Sequence, residues 1–296
     1  MSPTLEINKK TVTLTNLKKE LWPGEGIDKY HLIKYYLEIS SYMLPHLKDR
    51  FLVFRRFPEG INGKGFFQKN CPQGAPPWIK TVPFKHSGDK VTNYILATGP
   101  ESLTWLGNQA CLEIHQWLSS VSTLENPDFA VFDLDPMEGI TFPQVCTVAL
   151  ALHDLLKKSG LRGYPKTSGS RGIQVYLPLL PGYSYDHSRK FCEDVFKELF
   201  KLFPAISTLE RKVSERGTKI YLDYLQNARG KTLVAPYSPR PLPGAPVSTP
   251  LEWSEIAASS FLPSSFQIKN ILPRLQKKGD LFAPVLKDRQ RIPFNI

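Results

Sequence analysis

The segment Asp133-Leu134-Asp135 closes a β-type run from Phe129 to Asp135. Side chains alternate along a strand with period two, so both carboxylates emerge on the same side at the strand's end. Held close, two carboxylates repel and shift each other's pKa unless a cation intervenes. A divalent ion such as Mg2+ or Mn2+ prefers oxygen ligands, relieves that repulsion and can organise phosphoryl transfer. A bare DxD is a common solvated strand end, but a third acid, Asp223, also sits in a β-type run. Three carboxylates can ring two metals about 3.5–4 Å apart. Further candidates lie in Ser168-Gly169-Ser170-Arg171-Gly172, which offers hydroxyls, a cation and glycines that admit phosphate oxygens to backbone N–H groups. Read alone, that text also suits an ordinary turn. Phe66-Phe67, between Lys64 and Lys69, is an aromatic pair interleaved with charge, as base stacking beside a phosphate track requires. Strand alternation predicts that one of the two rings points inward. His115 stands near Trp117, a setting equally suited to a packed imidazole.

The elements that must carry these residues can be read from periodicity. Asp28 is placed to cap a helix to Leu44, with Leu32, Tyr36, Ile39 and Met43 at helical spacing before Pro45. Strands are predicted at Phe51 to Phe57, Gly65 to Lys69, Val91 to Ala97, Leu112 to His115, Ile173 to Leu177 and Lys219 to Tyr224. Helices are predicted at Pro143 to Lys158 and Asp186 to Leu202. This interleaving predicts an α+β fold, mixed sheets covered by helices. Ala235 to Pro250 is too proline-rich for a helix or central strand and reads as an extended strap across the surface. Lys277 to Arg291 mixes basic and apolar residues, as a peripheral helix or arm would.

The chain has 296 residues, 41% hydrophobic, enough for a large core. It carries 38 Lys and Arg against 27 Asp and Glu, a net charge of +11 whose field attracts polyanions, nucleic acid first among them. The first residues lack a signal-peptide pattern and no apolar run reaches the roughly 18 residues of a membrane span, so a cytoplasmic protein is expected. Cys71, Cys111, Cys146 and Cys192 are scattered without metal-binding or disulfide spacing and should be reduced and mostly packed.

LTN at Leu14 to Asn16, PEGINGKGFFQK at Pro58 to Lys69, EIHQWLS at Glu113 to Ser119, FDLDP at Phe132 to Pro136, TSGSRGIQVYLPL at Thr167 to Leu179, DYLQNARGKT at Asp223 to Thr232 and APYSPRPLPGAPVSTPLEW at Ala235 to Trp253 come in one order. Together they resemble the polymerase domain of DNA ligase D, a branch of the archaeo-eukaryotic primase superfamily. The likeness spans nearly the whole chain. It implies a primase-polymerase fold over 1–296, with a DNA-contacting portion (1–110), a catalytic portion (111–253) and a C-terminal extension (254–296). With no ligase or phosphoesterase text present, a stand-alone polymerase is expected.

By that resemblance Asp133 and Asp135 match the metal-binding pair, and Asp223 the third acid beside the primer 3′-hydroxyl. Ser168, Arg171, Gln226 and Arg240 match triphosphate contacts, Lys69 a basic contact near the substrate, and His115 a residue beside the incoming nucleotide. Phe66 and Phe67 match rings that stack at the template gap. Lys19 and Lys29, which alone would read as solvated lysines, match the pair that holds the downstream 5′-phosphate. Gln174 departs from the pattern, since the family usually has His there. A neutral amide gives a weaker phosphate contact than an imidazolium. The implied activity is gap filling in non-homologous end joining with two Mn2+ or Mg2+ ions, deoxy- or ribonucleotides, and Ku and a separate ligase as partners, at the nucleoid. A polymerase acting in excision repair or priming is an alternative to end joining, and two other classes remain open from the residues. A metal-dependent nuclease or phosphoesterase uses similar carboxylates, and a non-catalytic DNA-binding module would need only the charge.

Overall fold

The computed structural model describes residues 2–293, so the last three residues of the extension expected over 254–296 lie outside the described residues. The chain opens with two hairpins, β1 (Thr4–Ile7) with β2 (Lys10–Thr13) and β3 (Glu20–Trp22) with β4 (Ile27–Asp28). Helix α1 (Lys29–Leu47) starts where expected, because the Asp28 carboxylate accepts the His31 backbone N–H at 3.0 Å. It runs past the predicted end, through Pro45, to Leu47. In the last turn a proline forfeits one hydrogen bond, and the buried Met43 and Leu47 hold that turn in place.

Next come β5 (Leu52–Arg56), β6 (Phe66–Gln68), the hairpin β7 (Thr81–Lys85) and β8 (Val91–Ile95), α2 (Pro100–Asn108) and β9 (Cys111–Trp117). Periodicity hides α2, since every residue from Glu101 to Asn108 is buried and no polar face marks the turns. Then β10 (Phe129–Pro136), α3 (Phe142–Lys158), β11 (Tyr164–Thr167), β12 (Ile173–Pro178), α4 (Tyr185–Leu202), β13 (Ser207–Thr208), β14 (Ile220–Asp223) and β15 (Thr232–Val234) complete the sheets, and α5 (Trp253–Ala258) and α6 (Ile271–Lys278) follow.

Two sheets carry the molecule. The first has order β15-β9-β5-β6, all antiparallel. It shares a core with α1 and α2 built on Tyr36, Ile39, Phe54, Leu112 and Ile114. The second has order β11-β12-β10-β14-β13, antiparallel except for the parallel β13–β14 pair. It shares a core with α3 and α4 in which Phe132, Leu134, Leu152, Val175 and Phe196 meet. The fold is therefore α+β with mixed sheets. The boundary expected at 110/111 does not separate the sheets, because β9 pairs with β5.

The proline-rich strap is not laid across the surface. Tyr237, Ser238, Ala245, Val247, Ser248 and Thr249 are buried, and the segment laces the sheets together. Ala235 N–H donates to the Ile114 carbonyl (2.9 Å) in the first sheet, while Thr167 N–H in the second donates to the Thr249 carbonyl (2.8 Å). Proline cannot donate, so the residues between the prolines make these bonds. The tail also returns to the body: Val285 and Ile292 are buried, and Arg162 pairs with Asp288. The four cysteines are free, three of them buried. No helix among the described residues is long and apolar enough to cross a membrane.

Candidate active site

Strand register assembles the acids. Asp133 on β10 lies opposite Asp223 on one side and Gln174 on the other, and Gln174 lies opposite Lys166. The result is one cross-strand row, Lys166, Gln174, Asp133, Asp223, across four strands of the second sheet. Asp135, two residues on, faces the same way at the open end of β10, with Tyr221 opposite it. Burial, then the charges of Asp223 and Asp135, push the Asp133 carboxyl up to about 7, against the opposing pull of a Gln174 hydrogen bond and Lys166. Burial also raises the Asp135 carboxyl, while Arg216 and Arg171 draw it back. Asp223 is turned toward its own chain, where Oδ1 accepts the Leu225 N–H (3.0 Å) and Oδ2 accepts from Gln226 Nε2 (2.9 Å).

Eight of the predicted residues line one cleft of about 270 Å³: His115, Asp133, Asp135, Ser168, Arg171, Gln174, Gln226 and Arg240. The Ser168–Gly172 segment is the tight turn between β11 and β12. Ser168 Oγ accepts the N–H groups of Ser170 (3.2 Å) and Gly172 (3.1 Å), while the Ser168 carbonyl accepts from Arg240 (2.8 Å). Two glycines let this turn sit where it does. Gly169 has φ of +71°, and a Cβ there would lie 2.8 Å from both the Arg240 side chain and the Ser248 nitrogen. A Cβ on Gly172 would collide with the Leu134 carbonyl oxygen of the DxD strand.

Sequence reasoning missed three charged residues here. Glu113 is buried on β9 and gathers basic side chains: Arg240 Nε lies 2.6 Å from one of its oxygens, as an ion pair rather than an aligned hydrogen bond, and His115 (3.2 Å) and Arg55 (3.6 Å) face the other. Burial pushes its carboxyl up, but the hydrogen bond from His115 and the charges of Arg240 and Arg55 hold it below the usual range. Arg216 stacks on the Tyr221 ring, 3.6 Å from its centroid, with a guanidinium nitrogen 3.9 Å from Asp135. Lys166 is fully buried beneath the cleft, bonded to Gln174 Oε1 (2.6 Å) and Ser248 Oγ (2.8 Å). Glu113 was in plain view within EIHQWLS, whereas nothing in the sequence pairs Arg216 or Lys166 with the acids before the register is known.

The remaining candidates lie outside this cleft. Lys29 is buried, donates to Thr15 Oγ1 (3.0 Å), and has its pKa lowered to about 8 by burial and by neighbouring Lys19 and Arg56. Lys19 pairs with the exposed Glu59 (2.7 Å), and Arg56 donates only to neutral oxygens of Gln68 and Gln109. Lys29 is thus no ordinary surface lysine; it belongs to a cationic cluster that an anion would relieve. Phe66 and Phe67 are 43% and 60% exposed, so neither ring is buried. Their strand is the sheet's edge. Phe67 meets the His115 ring edge-on at 5.7 Å, with Arg55 stacked on it. Lys69 is exposed just past β6 and does not line the cleft.

The acids supply hard oxygen donors, and burying Asp133 beside two other carboxylates creates a demand for positive charge, so the set suits Mg2+ or Mn2+. Among the described residues no three His, Cys, Asp or Glu side chains already close into a metal cage.

Compared with known families, residues 28–282 match the LigD primase-polymerase domain. The chain is 36% identical over 279 residues to the multifunctional non-homologous end joining protein LigD of Mycolicibacterium smegmatis, and 35% over 282 to the bifunctional LigD of Bacillus subtilis. Those alignments take in 94% and 95% of this chain but 36% and 45% of the relatives, so the chain spans less than half their length. Among solved structures, the polymerase domain from Mycobacterium tuberculosis Ligase D in complex with DNA matches with a TM-score of 0.86 at 32% identity, covering 94% of this chain and 99% of that one. The chain belongs to the LigD primase-polymerase domain family, whose members are nucleotidyltransferases.

Proposed function

We propose that this chain adds nucleotides, ribonucleotides included, to a primer 3′-hydroxyl under template direction, filling gaps at broken DNA ends during non-homologous end joining. The observation that carries this reading is the single cleft in which the carboxylates of β10 meet Arg171 from the β11–β12 turn and Arg240 from the strap. A site for cutting phosphodiesters needs the acids; only synthesis from a triphosphate also needs a cradle for the pyrophosphate leaving group.

Asp133, Asp135 and Asp223 would hold two Mn2+ or Mg2+ ions, which when bound neutralise the triphosphate and lower the pKa of the attacking hydroxyl. Arg171 and Ser168 grip the phosphates, joined by Arg240, whose guanidinium can grip oxygens in pairs. Glu113 orients Arg240 and His115 toward that position, and His115 contacts the nucleotide. Gln226 steadies the Asp223 carboxylate from one side. The 3′-oxygen attacks the α-phosphorus and the bond to the pyrophosphate oxygen breaks. Lys19 and Lys29 hold the downstream 5′-phosphate, Phe66 and Phe67 stack on bases at the gap, and Lys69 supplies a cation beside them. The three portions of the chain act as one unit, at the nucleoid in the cytoplasm, with Ku and a separate ligase as partners.

Incubating the protein and Mn2+ with a labelled, gapped duplex, with and without nucleotides, tests the proposal. Nucleotide-dependent lengthening of the primer supports it. Cleavage without nucleotides would establish the nuclease reading instead, and salt-sensitive binding with neither reaction would leave a DNA-binding module.

A further inference from the structure

Lys166 is the most completely buried basic side chain in the neighbourhood of the acids, and its hydrogen-bond partners are neutral. Its Nζ donates to Gln174 Oε1 at 2.6 Å and to Ser248 Oγ at 2.8 Å. The Ser248 hydroxyl proton is itself committed to the Thr167 carbonyl (2.8 Å), so Ser248 can only accept from the lysine. The Tyr176 ring lies beneath the amine, 5.6 Å away. The lysine amine donates to the oxygen end of the Gln174 amide, which fixes which end of that amide faces it. That leaves the amide's N–H end free for the next residue across the row, Asp133, which lies directly opposite Gln174 on β10.

We propose that Lys166 and Gln174 form a positioning pair for the metal-binding carboxylate Asp133: Lys166 locks the Gln174 amide in the orientation that presents N–H, never C=O, to Asp133, and so fixes that carboxylate's orientation for a divalent ion. Without the lysine, the amide is free to turn and set its oxygen against the carboxylate. The same logic covers a histidine at position 174, whose unprotonated nitrogen would accept from Lys166 while its N–H donates to Asp133. Gln174 therefore acts on the acid rather than on the triphosphate. This inference rests on the reading of Asp133 as a metal ligand.

The test uses Mn2+ alone, titrated into the nucleotide-free, full-length protein and followed by the electron paramagnetic resonance signal of the free ion, with the melting temperature measured in parallel. Asp133→Asn establishes whether Asp133 binds the ion. Lys166→Met and Gln174→Met are each expected to weaken Mn2+ binding about threefold to tenfold, the range of one hydrogen bond. The double variant should be no weaker than either single one, since both break the same relay. Gln174→His should stay within about twofold of the parent. Lys166→Met replaces a buried amine with an apolar chain of similar length, so its melting temperature should hold or rise while metal affinity falls, an opposition that a purely structural lysine would not produce. If Asp133→Asn abolishes binding but both methionine variants bind Mn2+ normally, or their losses add, the relay is refuted and the metal site stands. Unchanged binding by Asp133→Asn would overturn both.

Discussion

In the metal-free protein Asp133 should oppose folding, and Asp133→Asn should expose that cost. Its carboxyl rises from an ordinary 3.8 to about 7, chiefly because it is buried and then because Asp223 and Asp135 face it. The folded state therefore holds a proton that the unfolded chain has already released between those two values. With more protons bound in the folded state, stability falls as pH rises through this window and levels off above about pH 7. A rise of that size sets a ceiling of about 4 kcal/mol, and relaxation and water entry should reduce it to about 1–3 kcal/mol. Asparagine retains an oxygen to accept from Gln174 but never ionises. Chemical denaturation in a chelator should find the variant little changed at pH 4 and more stable than the parent at pH 8. Adding Mn2+ should stabilise the parent and not the variant. An asparagine variant that is less stable than the parent at pH 8, or an advantage that does not grow with pH, would refute the reasoning.

The cationic cluster gives a second pH signature. A downstream 5′-phosphate should tighten binding to gapped DNA by about 1.5–3 kcal/mol, and Lys19→Ala with Lys29→Ala should remove the gain. Because Lys29 loses its proton near pH 8, the preference should be larger at pH 7 than at about pH 9.5, as fluorescence anisotropy would show. Glu113→Gln releases Arg240 and His115 from their shared carboxylate and should raise the KM for nucleotide more than it lowers binding to DNA. Gly172→Ala forces the β11–β12 turn off the Leu134 carbonyl and should cost about 2 kcal/mol or more of stability, read by denaturation, along with most extension activity. Replacing both Phe66 and Phe67 with Ala should weaken gapped-DNA binding by about 1–3 kcal/mol for each base that loses its stacking partner, measured by the same anisotropy titration.

The parts of the site written in local text were legible. β10 announces its carboxylates through strand alternation, and the glycines around Arg171 announce a turn that must approach something closely. What escaped depends on register and on sheet position. Lys166 and Gln174 are eight residues apart, and only the antiparallel β11–β12 pairing places them side by side with Asp133 next in line. Gln174 alone reads as a weakened phosphate contact; the row shows its oxygen already taken. One of the two phenylalanines was expected inside because alternation presumes one buried face, yet both rings on this short edge strand are exposed. The strap read as superficial because prolines exclude it from a sheet, but exclusion from a sheet does not mean exclusion from the core. Its small residues fit between the two sheets, and its free N–H and hydroxyl groups bond to both.

Single-nucleotide gap filling by the parent protein and by the Asp133→Ala, Asp135→Ala and Asp223→Ala variants tests the central claim most directly, with DNA binding measured on the same preparations. The arrangement of the cleft predicts templated addition of one nucleotide by the parent in the presence of Mn2+, and no addition by any of the three variants while DNA binding persists. Near-normal addition by any one of them, or a parent protein that binds the gap and never extends it, would contradict the account.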